Sequence, residues 1–577
     1  MCAIAGVFGH PKATELTAQM TAAQSHRGPD GGAVLPVAPD CALGHRRLAI
    51  LDLSDHGSQP MTSRDGRWTV VLNGEVFNYR ELRDELCGPW LSRTDTEVFL
   101  EGVSCWGLER TLNRSIGMFA VALWDRDERT LWLARDRIGE KPLVYFWDGH
   151  TLAFASEMRA LAPLHASKLD PAAVDVYLGL GYVPAPLGIF RSTYKLPAGH
   201  CLRLHDGSID VRRWWFPENA TAEVARDPAG RREQTRALIG DAVRLRLRAD
   251  VPIALALSGG VDSSVIAAEL AQQEAFPDAF TVTFEDDATD LPYAQAVARK
   301  FGLRHHVIAL DRQPIESELC AAMAQYDEPF ADSSGVACVA LAEALGGRYK
   351  VILDGDGGDE AFAGYRHYEY IQVKQALKAG AAAVGIGDGD AASTVYVESK
   401  TTFRASDRTK LLNGHGGQPA ALRELLGMDA FLQVPRSGAL KRALWSDRHL
   451  SLANGLTYKM DIALSAYGVE GRAPLLDHRI LEWSQNLEDR DLVRGRDKKV
   501  LLRSAYADRL PPEILARRKH GFGAPIAQWL QGPLEAELRS LVPCPLLDSQ
   551  AQRGQTGQQM WALFAFALWA DRWGASW

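Results

Sequence analysis

Residues 251–264 read VPIALALSGGVDSS, and this stretch decides the fold of the second half of the chain. It opens with an apolar run of strand length, and the turn that follows leads into the helical pattern VIAAELAQQEA. A buried strand, a tight turn and a helix form the opening unit of a doubly wound α/β domain with a mostly parallel sheet. Ligands of such domains bind beyond the carboxyl ends of the strands, where this turn lies.

The turn itself is suited to binding a phosphate group. Gly259 and Gly260 let backbone N–H groups approach an anion, and the start of the helix adds partial positive charge. Three hydroxyl groups supply further donors, those of Ser258, Ser263 and Ser264. Because Asp262 would repel a bare phosphate, we expect it to hold Mg²⁺ bound to that phosphate. The turn lacks the Lys of the kinase and GTPase loop GxxxxGK[ST], which argues against γ-phosphoryl transfer.

The alternation of helix and apolar strand continues around this turn. A helical pattern at 232–250 precedes it, and two more buried strands are predicted at 279–284, AFTVTF, and 349–355, YKVILDG. Beyond about residue 361 the pattern is mainly helical. The apolar run at 561–570 is too short to cross a bilayer and predicts a buried helix. The Ala- and Gly-rich segment at 376–393 predicts a mobile insertion.

The first 205 residues show short alternating or apolar runs separated by turn signals, which predict a layered, strand-rich domain with some helical cover. DRDERT at 125–130 predicts a hairpin turn, and ELRDELCG after Asn78 predicts a short helix that ends at Gly88. Residues 206–232 carry Pro, Gly and charge without a clear period, which indicates a linker. The predicted domains are therefore residues 2–205 and 233–577.

Composition excludes several classes of protein. With 46% hydrophobic and 24% charged residues, the 577-residue chain has the make-up of a soluble globular protein of about two to four domains. Its formal net charge of −8 gives no electrostatic reason to expect nucleic acid or an anionic membrane as a partner. The cysteines form no CxxC pair and the N-terminus has no secretory leader, which together favour a reduced, cytoplasmic setting.

Cys2 stands directly behind Met1, so removal of Met1 would leave a thiol and a free α-amine on one residue. An α-amine has an ordinary pKa of about 8, so its uncharged fraction can take the thiol proton directly or through one water. Cys2 is therefore a candidate nucleophile that needs no separate catalytic His. A Cys at this position is common without any role, so the motifs that follow decide its interpretation.

The first domain resembles the class II glutamine amidotransferases along nearly its whole length. The motifs that carry the resemblance are CAIAG at 2–6, HRGPD at 26–30, GHRRL at 44–48, NGEVFN at 73–78 and TDTE at 94–97. The resemblance implies an α+β domain, an αββα sandwich of the N-terminal-nucleophile type. It also implies that this domain hydrolyses glutamine to glutamate and ammonia, with Cys2 as the catalytic nucleophile.

The resemblance assigns roles to four further residues of this domain. Asn73 and the Gly74 N–H would stabilise the oxyanion that forms when the thiolate attacks the glutamine amide, each donor being worth about 3 kcal/mol. Arg47 would hold the substrate α-carboxylate with a two-pronged hydrogen bond. Asp95 would hold the α-ammonium group. A fifth residue, Glu75, is also expected to bind glutamine.

The turn at 258–264 resembles SGGxDSS, the pyrophosphate-binding loop of ATP pyrophosphatases, and the rest of this half resembles glutamine-hydrolysing asparagine synthetases. The matching segments are YDEP at 326–329, DSS at 332–334, DGDGGDE at 354–360, EGRAPLLDH at 470–478, KVLLR at 499–503 and KHGF at 519–522. The resemblance covers about residues 2–570. It implies an α/β second domain, a parallel doubly wound sheet with helical additions.

ATP and Mg²⁺ are the cofactors that this resemblance implies. Lys499 is the expected cation over the α-phosphate, while Asp262 and Asp359 are expected to hold Mg²⁺ on the leaving pyrophosphate. Asp356 is expected to accept a proton from ammonia or to orient it. The residues expected to bind ATP are Leu257, Ser258, Gly259, Gly260, Asp262, Ser263, Ser264, Gly355 and Lys499.

The two halves together predict an enzyme that acts on small molecules. Glutamine would supply ammonia, which would pass to a second site where Mg·ATP activates a carboxylate as an acyl-adenylate. Aspartate to asparagine is the favoured overall reaction, with release of AMP, pyrophosphate and glutamate. The resemblance also allows a homodimer.

Three departures from the synthetase pattern leave the acceptor open. Ile462 stands where the family usually has Arg, Leu291 follows Asp290 where an acidic residue is typical, and the family stretch SAIPT is altered at Gly335 and Ala337. If the side chain at 462 faces the acceptor pocket, loss of an Arg alters its specificity. If that side chain lies on a helix surface, nothing follows.

Three functions other than the amidation of aspartate therefore remain compatible with the sequence. The nearest is the same chemistry on a peptide or secondary-metabolite carboxylate, which Ile462 and the Ala- and Gly-rich segment favour. A ring-closing ligase of the β-lactam synthetase type needs no glutamine, and the intact amidotransferase motifs argue against it. A non-catalytic binding or regulatory protein is disfavoured by the complete set of ATP-site acids and by Lys499.

Overall fold

The computed structural model of the chain describes residues 1–217, 222–284, 289–310, 315–373, 396, 399–415, 438–517, 526–532, 534–541, 544–553 and 555–577, without the side chains of 315–318 and 527–528. The mobile insertion predicted at 376–393 and the KHGF segment at 519–522 lie outside these residues. Among the described helices, none combines the length and apolar character that a membrane span requires.

Two six-stranded antiparallel sheets form the first domain. The first contains β1 (Ala3–Phe8), β2 (Gly31–Ala38), β3 (Cys41–Arg47), β8 (Val144–Trp147), β9 (Leu152–Ala155) and β10 (Thr193–Lys195). The second contains β4 (Met61–Thr62), β5 (Trp68–Val76), β6 (Gly117–Asp125), β7 (Thr130–Arg135), β11 (His200–His205) and β12 (Ser208–Arg213). Their strand orders are β10-β8-β9-β1-β3-β2 and β12-β11-β7-β6-β5-β4.

The two sheets pack face to face through one buried apolar cluster, which includes Ile4 and Leu43 from the first sheet and Val71 and Leu133 from the second. A helix covers each outer face: Ala13–Ala23 packs on the first sheet and Asp95–Trp106 on the second. The other helices of this domain are Asp55–Gly57, Tyr79–Glu85, Leu108–Arg114, Met158–Leu161 and Pro171–Leu180. The predicted αββα sandwich is confirmed.

The second domain is built on a five-stranded parallel sheet. Its strands are β13 (Ile253–Ala256), β14 (Asp278–Phe284), β15 (His305–Leu310), β16 (Val351–Leu353) and β17 (Glu470–Arg472). They lie in the order β15-β14-β13-β16-β17, and all neighbours are parallel. The chain runs outward from β13 in both directions, so the carboxyl ends of β13 and β16 flank the switch point at which such sheets bind ligands. The predicted doubly wound sheet is confirmed.

Helices surround this sheet, and a short hairpin, β18 (Val493–Arg494) and β19 (Asp497–Lys498), lies apart from it. The described helices are Pro228–Arg246, Val261–Gln272, Leu291–Phe301, Ile315–Met323, Ser334–Leu345, Gly358–Phe362, Ala405–Leu411, Ala439–Asp447, Arg448–Leu456, Thr457–Ser465, Pro474–Leu476, His478–Gln485, Asp489–Leu492, Val500–Ala505, Pro512–Ala516, Ile526–Leu530, Glu535–Leu541 and Gly557–Trp573.

The last of these helices, Gly557–Trp573, packs on both domains. Its Phe566 ring lies 5.5 Å from that of Tyr177, in the first half of the chain, and Trp569 lies 5.5 Å from Phe190. Earlier along the same helix Trp561 is fully buried. The buried helix predicted from the apolar run at 561–570 is therefore confirmed, and it serves as a shared wall between the domains.

The connection between the domains differs from the predicted linker at 206–232. β12, Ser208–Arg213, pairs with β11 inside the first domain, and the helix Pro228–Arg246 begins before residue 232. The density of Pro, Gly and charge hid the alternation of Ile209 and Val211, which is a strand pattern.

Two local predictions in the first domain have different outcomes. The hairpin turn predicted at 125–130 is confirmed between β6 and β7. The helix predicted to reach Gly88 ends at Glu85.

Candidate functional site

Cys2 precedes β1, a central strand of the first sheet. β3 lies antiparallel beside it with Ala3 opposite Arg46, so the end of β3 passes the thiol. The Leu48 N–H points at Cys2 Sγ over 3.4 Å, and Sγ lies 3.8 Å from Leu48 O. The register of the sheet thus brings the GHRRL segment beside the predicted nucleophile.

Arg47, predicted to hold the glutamine α-carboxylate, is buried and held by backbone carbonyl groups, including that of Ser54 at 2.6 Å. Gly57 lies against its guanidinium. A Cβ atom on Gly57 would be 2.2 Å from Arg47 Nη2 and 2.9 Å from Thr94 Cγ2. Because Thr94 caps the helix that begins with Asp95, two predicted glutamine-binding residues lie close to the same glycine.

Asn73 and Gly74 lie on β5, in the facing sheet. Asn73 Nδ2 is 3.5 Å from Ser156 Oγ, which accepts a hydrogen bond from Ile4 N, so Asn73 reaches β1. Asn73 Oδ1 is buried and has no hydrogen-bond partner among the described residues. Gly74 has φ +137°, and a Cβ atom there would lie 2.0 Å from Met118 O, so this position requires glycine.

Three buried carboxyl groups interact with one guanidinium, that of Arg472 from the second domain: those of Glu75, Asp95 and Glu470. Arg472 Nε lies 2.8 Å from Glu470 Oε1, and its Nη2 lies 3.2 Å from Glu75 Oε1. Burial raises the pKa of Asp95 to about 6, and burial together with the Asp95 charge raises the pKa of Glu75 well above its ordinary value. Glu75 thus contacts the second domain, and its contact with glutamine stays a prediction.

Met1 is present in this structure and fully buried, with its Sδ 2.8 Å from Lys141 Nζ. Burial lowers the pKa of the Met1 α-amine to about 5 and raises the pKa of the Cys2 thiol to about 11. In this form the terminal amine belongs to Met1 and not to Cys2. The thiol therefore keeps its proton at neutral pH.

The loop after β13 combines hydroxyl groups with a tight turn that requires glycine. Ser258 Oγ and Ser263 Oγ lie 3.0 Å apart, whereas Ser264 donates to Gly260 O over 2.6 Å. Gly259 has φ +67°, and a Cβ atom there would be 2.4 Å from the backbone nitrogen of Ala294, in the helix Leu291–Phe301. Gly259 and Ser264 therefore shape the turn.

A cavity of about 1280 Å³ opens above this loop. Seven of the residues predicted to bind ATP line it: Leu257, Ser258, Gly260, Asp262, Ser263, Gly355 and Lys499. Gly259 and Ser264 are not among the described residues that line the cavity. A contact of either residue with ATP stays a prediction.

Lys499 lies between two carboxylates on the cavity wall. Its Nζ contacts Asp262 and lies 2.6 Å from Asp359 Oδ1. Burial opposes its charge, but the two carboxylates raise the pKa of Lys499 above its ordinary value. Gly364 packs on this group, since a Cβ atom there would be 2.2 Å from Lys499 Cε.

Asp354 and Asp356 follow β16 and also line the cavity. The Asp356 N–H donates to Asp354 Oδ1 over 3.0 Å. Burial raises the pKa of Asp354 to about 6, and burial together with Asp354 raises the pKa of Asp356 well above its ordinary value. Burial and the neighbouring carboxylates thus disfavour a charged Asp356 in the absence of a cation.

Sequence reasoning assigns no role to two charged residues on the cavity wall, Lys459 and Glu360. Lys459 Nζ lies 3.0 Å from Asp332 Oδ2, and Glu360 accepts a hydrogen bond from Tyr365. Lys459 lies on the helix Thr457–Ser465, most of which is buried. A lysine in such a buried pattern is a usable signal, because lysines are rarely buried without a partner.

The departures from the synthetase pattern have separate structural accounts. Ile462 is 1% exposed and belongs to a buried apolar cluster that includes Trp561, so it faces neither the cavity nor a helix surface. Asp290 lines the cavity and contacts Arg517. At Gly335 a Cβ atom would lie 2.6 Å from the hydroxyl of a buried tyrosine, which favours glycine there.

The cavity offers carboxylate ligands that suit Mg²⁺. Asp262 and Asp359 are on the same wall, on either side of Lys499. The described residues include no group of three or more His, Cys, Asp or Glu side chains that could hold a metal ion by itself. Since Mg²⁺ in phosphate-binding sites commonly takes one or two carboxylates together with phosphate oxygens and water, this donor set fits it.

A short path of contacts joins the two centres. Arg472 reaches Glu75 in the first domain, and its own carbonyl oxygen accepts a hydrogen bond from Asp354 N over 3.1 Å. Asp354 lines the cavity. The parallel pairing of β16 with β17 therefore places one residue, Arg472, in contact with both the Glu75 cluster of the first domain and the cavity residue Asp354.

Comparison with known proteins matches the two halves separately. Residues 1–215 match the family described as glutamine amidotransferase domain, and residues 234–571 match the family described as asparagine synthase. Asparagine synthetase (glutamine-hydrolysing) 1 of Bacillus subtilis is 26% identical, over 99% of this chain and 96% of that protein.

An archaeal relative carries the same kind of name, whereas a fungal relative carries a different one. A Methanocaldococcus jannaschii protein named as an asparagine synthetase (glutamine-hydrolysing) is 33% identical, over 63% of this chain and 76% of that protein. Amidase chyE of Penicillium rubens is 27% identical, over 90% of this chain and 86% of that protein. The chain therefore belongs to the asparagine synthase family and carries a glutamine amidotransferase domain at its N-terminal end.

Proposed function

We propose that this chain couples glutamine hydrolysis at Cys2 to ATP-dependent amide synthesis, with aspartate as the favoured acceptor and asparagine as the product. One observation carries the proposal most directly: Lys499 is held by Asp262 and Asp359 above a loop suited to phosphate. A cation and two carboxylates at one wall of a cavity are the groups that adenylation of a carboxylate requires.

In the first half-reaction the Cys2 thiolate would attack the amide carbon of the glutamine side chain. Asn73 Nδ2 and the Gly74 N–H would stabilise the oxyanion. The C–N bond then breaks, ammonia leaves with the proton taken from the thiol, and water hydrolyses the thioester to glutamate. Arg47 would hold the substrate carboxylate, and Asp95, ionised above its pKa of about 6, would hold the ammonium group.

In the second half-reaction an acceptor carboxylate oxygen would attack the α-phosphorus of ATP, and pyrophosphate would leave. Lys499 would move from its carboxylates to the phosphate oxygens. A Mg²⁺ ion held by Asp262 and Asp359 would screen the charge of pyrophosphate. Ammonia would then attack the acyl carbon with loss of AMP and a proton. Asp356, which lines the same cavity, would accept a proton from ammonia or orient it.

This scheme requires removal of Met1, which gives a first prediction. In a chain that keeps Met1 the Cys2 thiol has a pKa of about 11. At pH 8, three units below that pKa, roughly one molecule in 10³ carries the thiolate. We expect iodoacetamide at pH 8 to alkylate Cys2 at least about tenfold faster in the processed chain. Alkylation of the chain with Met1 should accelerate as the pH rises toward 11.

Mass spectrometry of the N-terminal peptide measures both rates, because the two forms differ by the mass of one Met residue. Alkylation of Cys87, an exposed cysteine, serves as the internal control and should be equal in the two forms. Equal rates at Cys2 would contradict a role for its freed α-amine.

A second prediction concerns the separation of the two sites. Cys2→Ala should abolish glutamate release and glutamine-dependent pyrophosphate release, because it removes only the nucleophile. Pyrophosphate release with ammonium as the nitrogen source should stay within about twofold of the unaltered protein. Cys87→Ala is the matched control and should preserve both activities. An equal loss of both activities in Cys2→Ala would argue against two separate centres.

A third prediction concerns Lys499. Lys499→Met should lower the rate of pyrophosphate release by at least about 10²-fold, since it removes the cation from the phosphate site. Glutamate release in the absence of ATP should persist. Lys499→Arg keeps the charge and tests for mere loss of folding, and Lys12→Met removes an exposed lysine as a control. Normal pyrophosphate release by Lys499→Met would remove this residue from the mechanism.

A peptide or secondary-metabolite carboxylate is the second candidate acceptor. The cavity of about 1280 Å³ has to hold ATP as well as the acceptor, so its volume admits acceptors larger than an amino acid without requiring one. The similarity to a fungal protein named amidase is consistent with such a range of acceptors in the family.

A panel of acceptors gives the fourth prediction and decides between the two candidates. Aspartate, glutamate, an aspartyl dipeptide and an aromatic carboxylic acid are each supplied with glutamine and ATP, and pyrophosphate, AMP and amide product are measured. We expect the highest kcat/KM with aspartate. A higher value with the dipeptide or the aromatic acid would favour the second candidate, and ADP as the nucleotide product would contradict adenylation.

A further inference from the structure

Arg27 is a fully buried arginine that joins the start of the chain to the second domain. Its Nε donates to the Cys2 carbonyl oxygen over 3.0 Å. Its Nη1 lies 2.9 Å from Glu157 Oε1, in the first domain, and 3.1 Å from Ser465 Oγ, in the second. Its Nη2 lies 2.7 Å from Asp461 Oδ2, also in the second domain. One rigid guanidinium therefore connects the nucleophile residue with a helix that lies more than 400 positions away in sequence.

Asp461 lies on the Thr457–Ser465 helix and is 3% exposed. Its Oδ1 is 3.5 Å from Lys141 Nζ, so two cations of the first domain face this carboxylate. The same helix carries Lys459, which lines the nucleotide cavity. One helix of the second domain thus has one charged residue at each of the two centres.

The Cys2 carbonyl group is the last backbone group held by a hydrogen bond before the α-amine and the thiol of Cys2. β1 begins at Ala3, which pairs with Arg46 at the end of the ladder. Once Met1 has been removed, the α-amine and the thiol of Cys2 are both carried by one Cα atom at the chain terminus. The hydrogen bond from Arg27 holds the plane of the peptide between Cys2 and Ala3, and it thereby fixes the position of the Cα atom that carries both groups.

The position of Arg27 depends in turn on its two carboxylates. Glu157 already contacts His26 and Arg159, so it draws the guanidinium toward the first domain. Asp461 holds it from the opposite side. Without the Asp461 charge the guanidinium would be drawn toward Glu157, which would displace its Nε–H from the carbonyl oxygen.

We propose that Asp461 of the second domain is a positioning residue for the glutaminase nucleophile and acts through Arg27 on the Cys2 carbonyl. This inference rests on the proposed function, in which Cys2 hydrolyses glutamine. It assigns part of the glutaminase centre to the second domain, so the first domain hydrolyses glutamine efficiently only when the second is docked on it.

The test compares Asp461→Asn with the unaltered full-length protein. Glutamate release without ATP gives kcat and the KM for glutamine, and pyrophosphate release with ammonium reports on the second domain. We expect kcat for glutamine to fall at least about tenfold with KM within about twofold, because the binding residues Arg47 and Asp95 are untouched. The ammonium-dependent rate should also stay within about twofold. Asp461→Glu, which restores the charge, should recover most of kcat.

The matched control is Glu81→Gln, which breaks another ion pair between the domains, with Arg248, away from the Cys2 carbonyl. It should leave kcat for glutamine unchanged. Ser465→Ala removes one contact of Arg27 without removing a charge, and a fall of about threefold is expected. If Asp461→Asn does not fold, kcat for glutamine in Ser465→Ala decides the test instead.

An unchanged kcat for glutamine in Asp461→Asn, or in Ser465→Ala if the first variant is insoluble, would overturn the inference. So would a parallel fall of the glutamine- and ammonium-dependent rates with a lower melting temperature, because that pattern indicates a purely structural role. Failure of the proposed function is a different result: the unaltered protein itself would release no glutamate from glutamine.

Discussion

The arrangement of both centres depends on one buried arginine, Arg472. It is fully buried, and it contacts Glu470 on its own strand, Glu75 in the first domain and two backbone carbonyl groups after the first helix of the second domain. An arginine buried without carboxylate partners is strongly disfavoured, so the domains must dock in the geometry that supplies them. Because its carbonyl oxygen also holds Asp354, that geometry fixes the distance between the glutaminase centre and the nucleotide cavity.

Much of this architecture could be predicted from local sequence. The stretch at 251–264 has the order of strand, turn and helix that opens a doubly wound domain, and β13 and the Val261–Gln272 helix occupy it. Close packing accounts for Gly259, where the backbone of the Leu291–Phe301 helix leaves no room for a side chain. Short-range constraints of this kind are encoded by residues that are neighbours in sequence, so a motif is sufficient to recognise them.

The features that sequence could not give are contacts between residues far apart in the chain. No spacing rule relates Arg27 to Asp461, or Glu75 to Arg472, because their separation depends on how the domains dock. Ile462 shows the same limitation. Its place in the Asp–Arg pattern of the family suggested the acceptor pocket or a helix surface, whereas packing around Trp561 puts it in the core. Tertiary packing, and not the motif, decides what such a side chain touches.

The helix Gly557–Trp573 has a consequence for dividing the protein into parts. Its aromatic residues cover Tyr177 and Phe190, which belong to the first half of the chain. A fragment cut at the connection between the halves would leave those rings open to water, and an uncovered aromatic patch of this kind promotes self-association. Although each half has its own sheets, the two halves share a hydrophobic core that the helix Gly557–Trp573 completes.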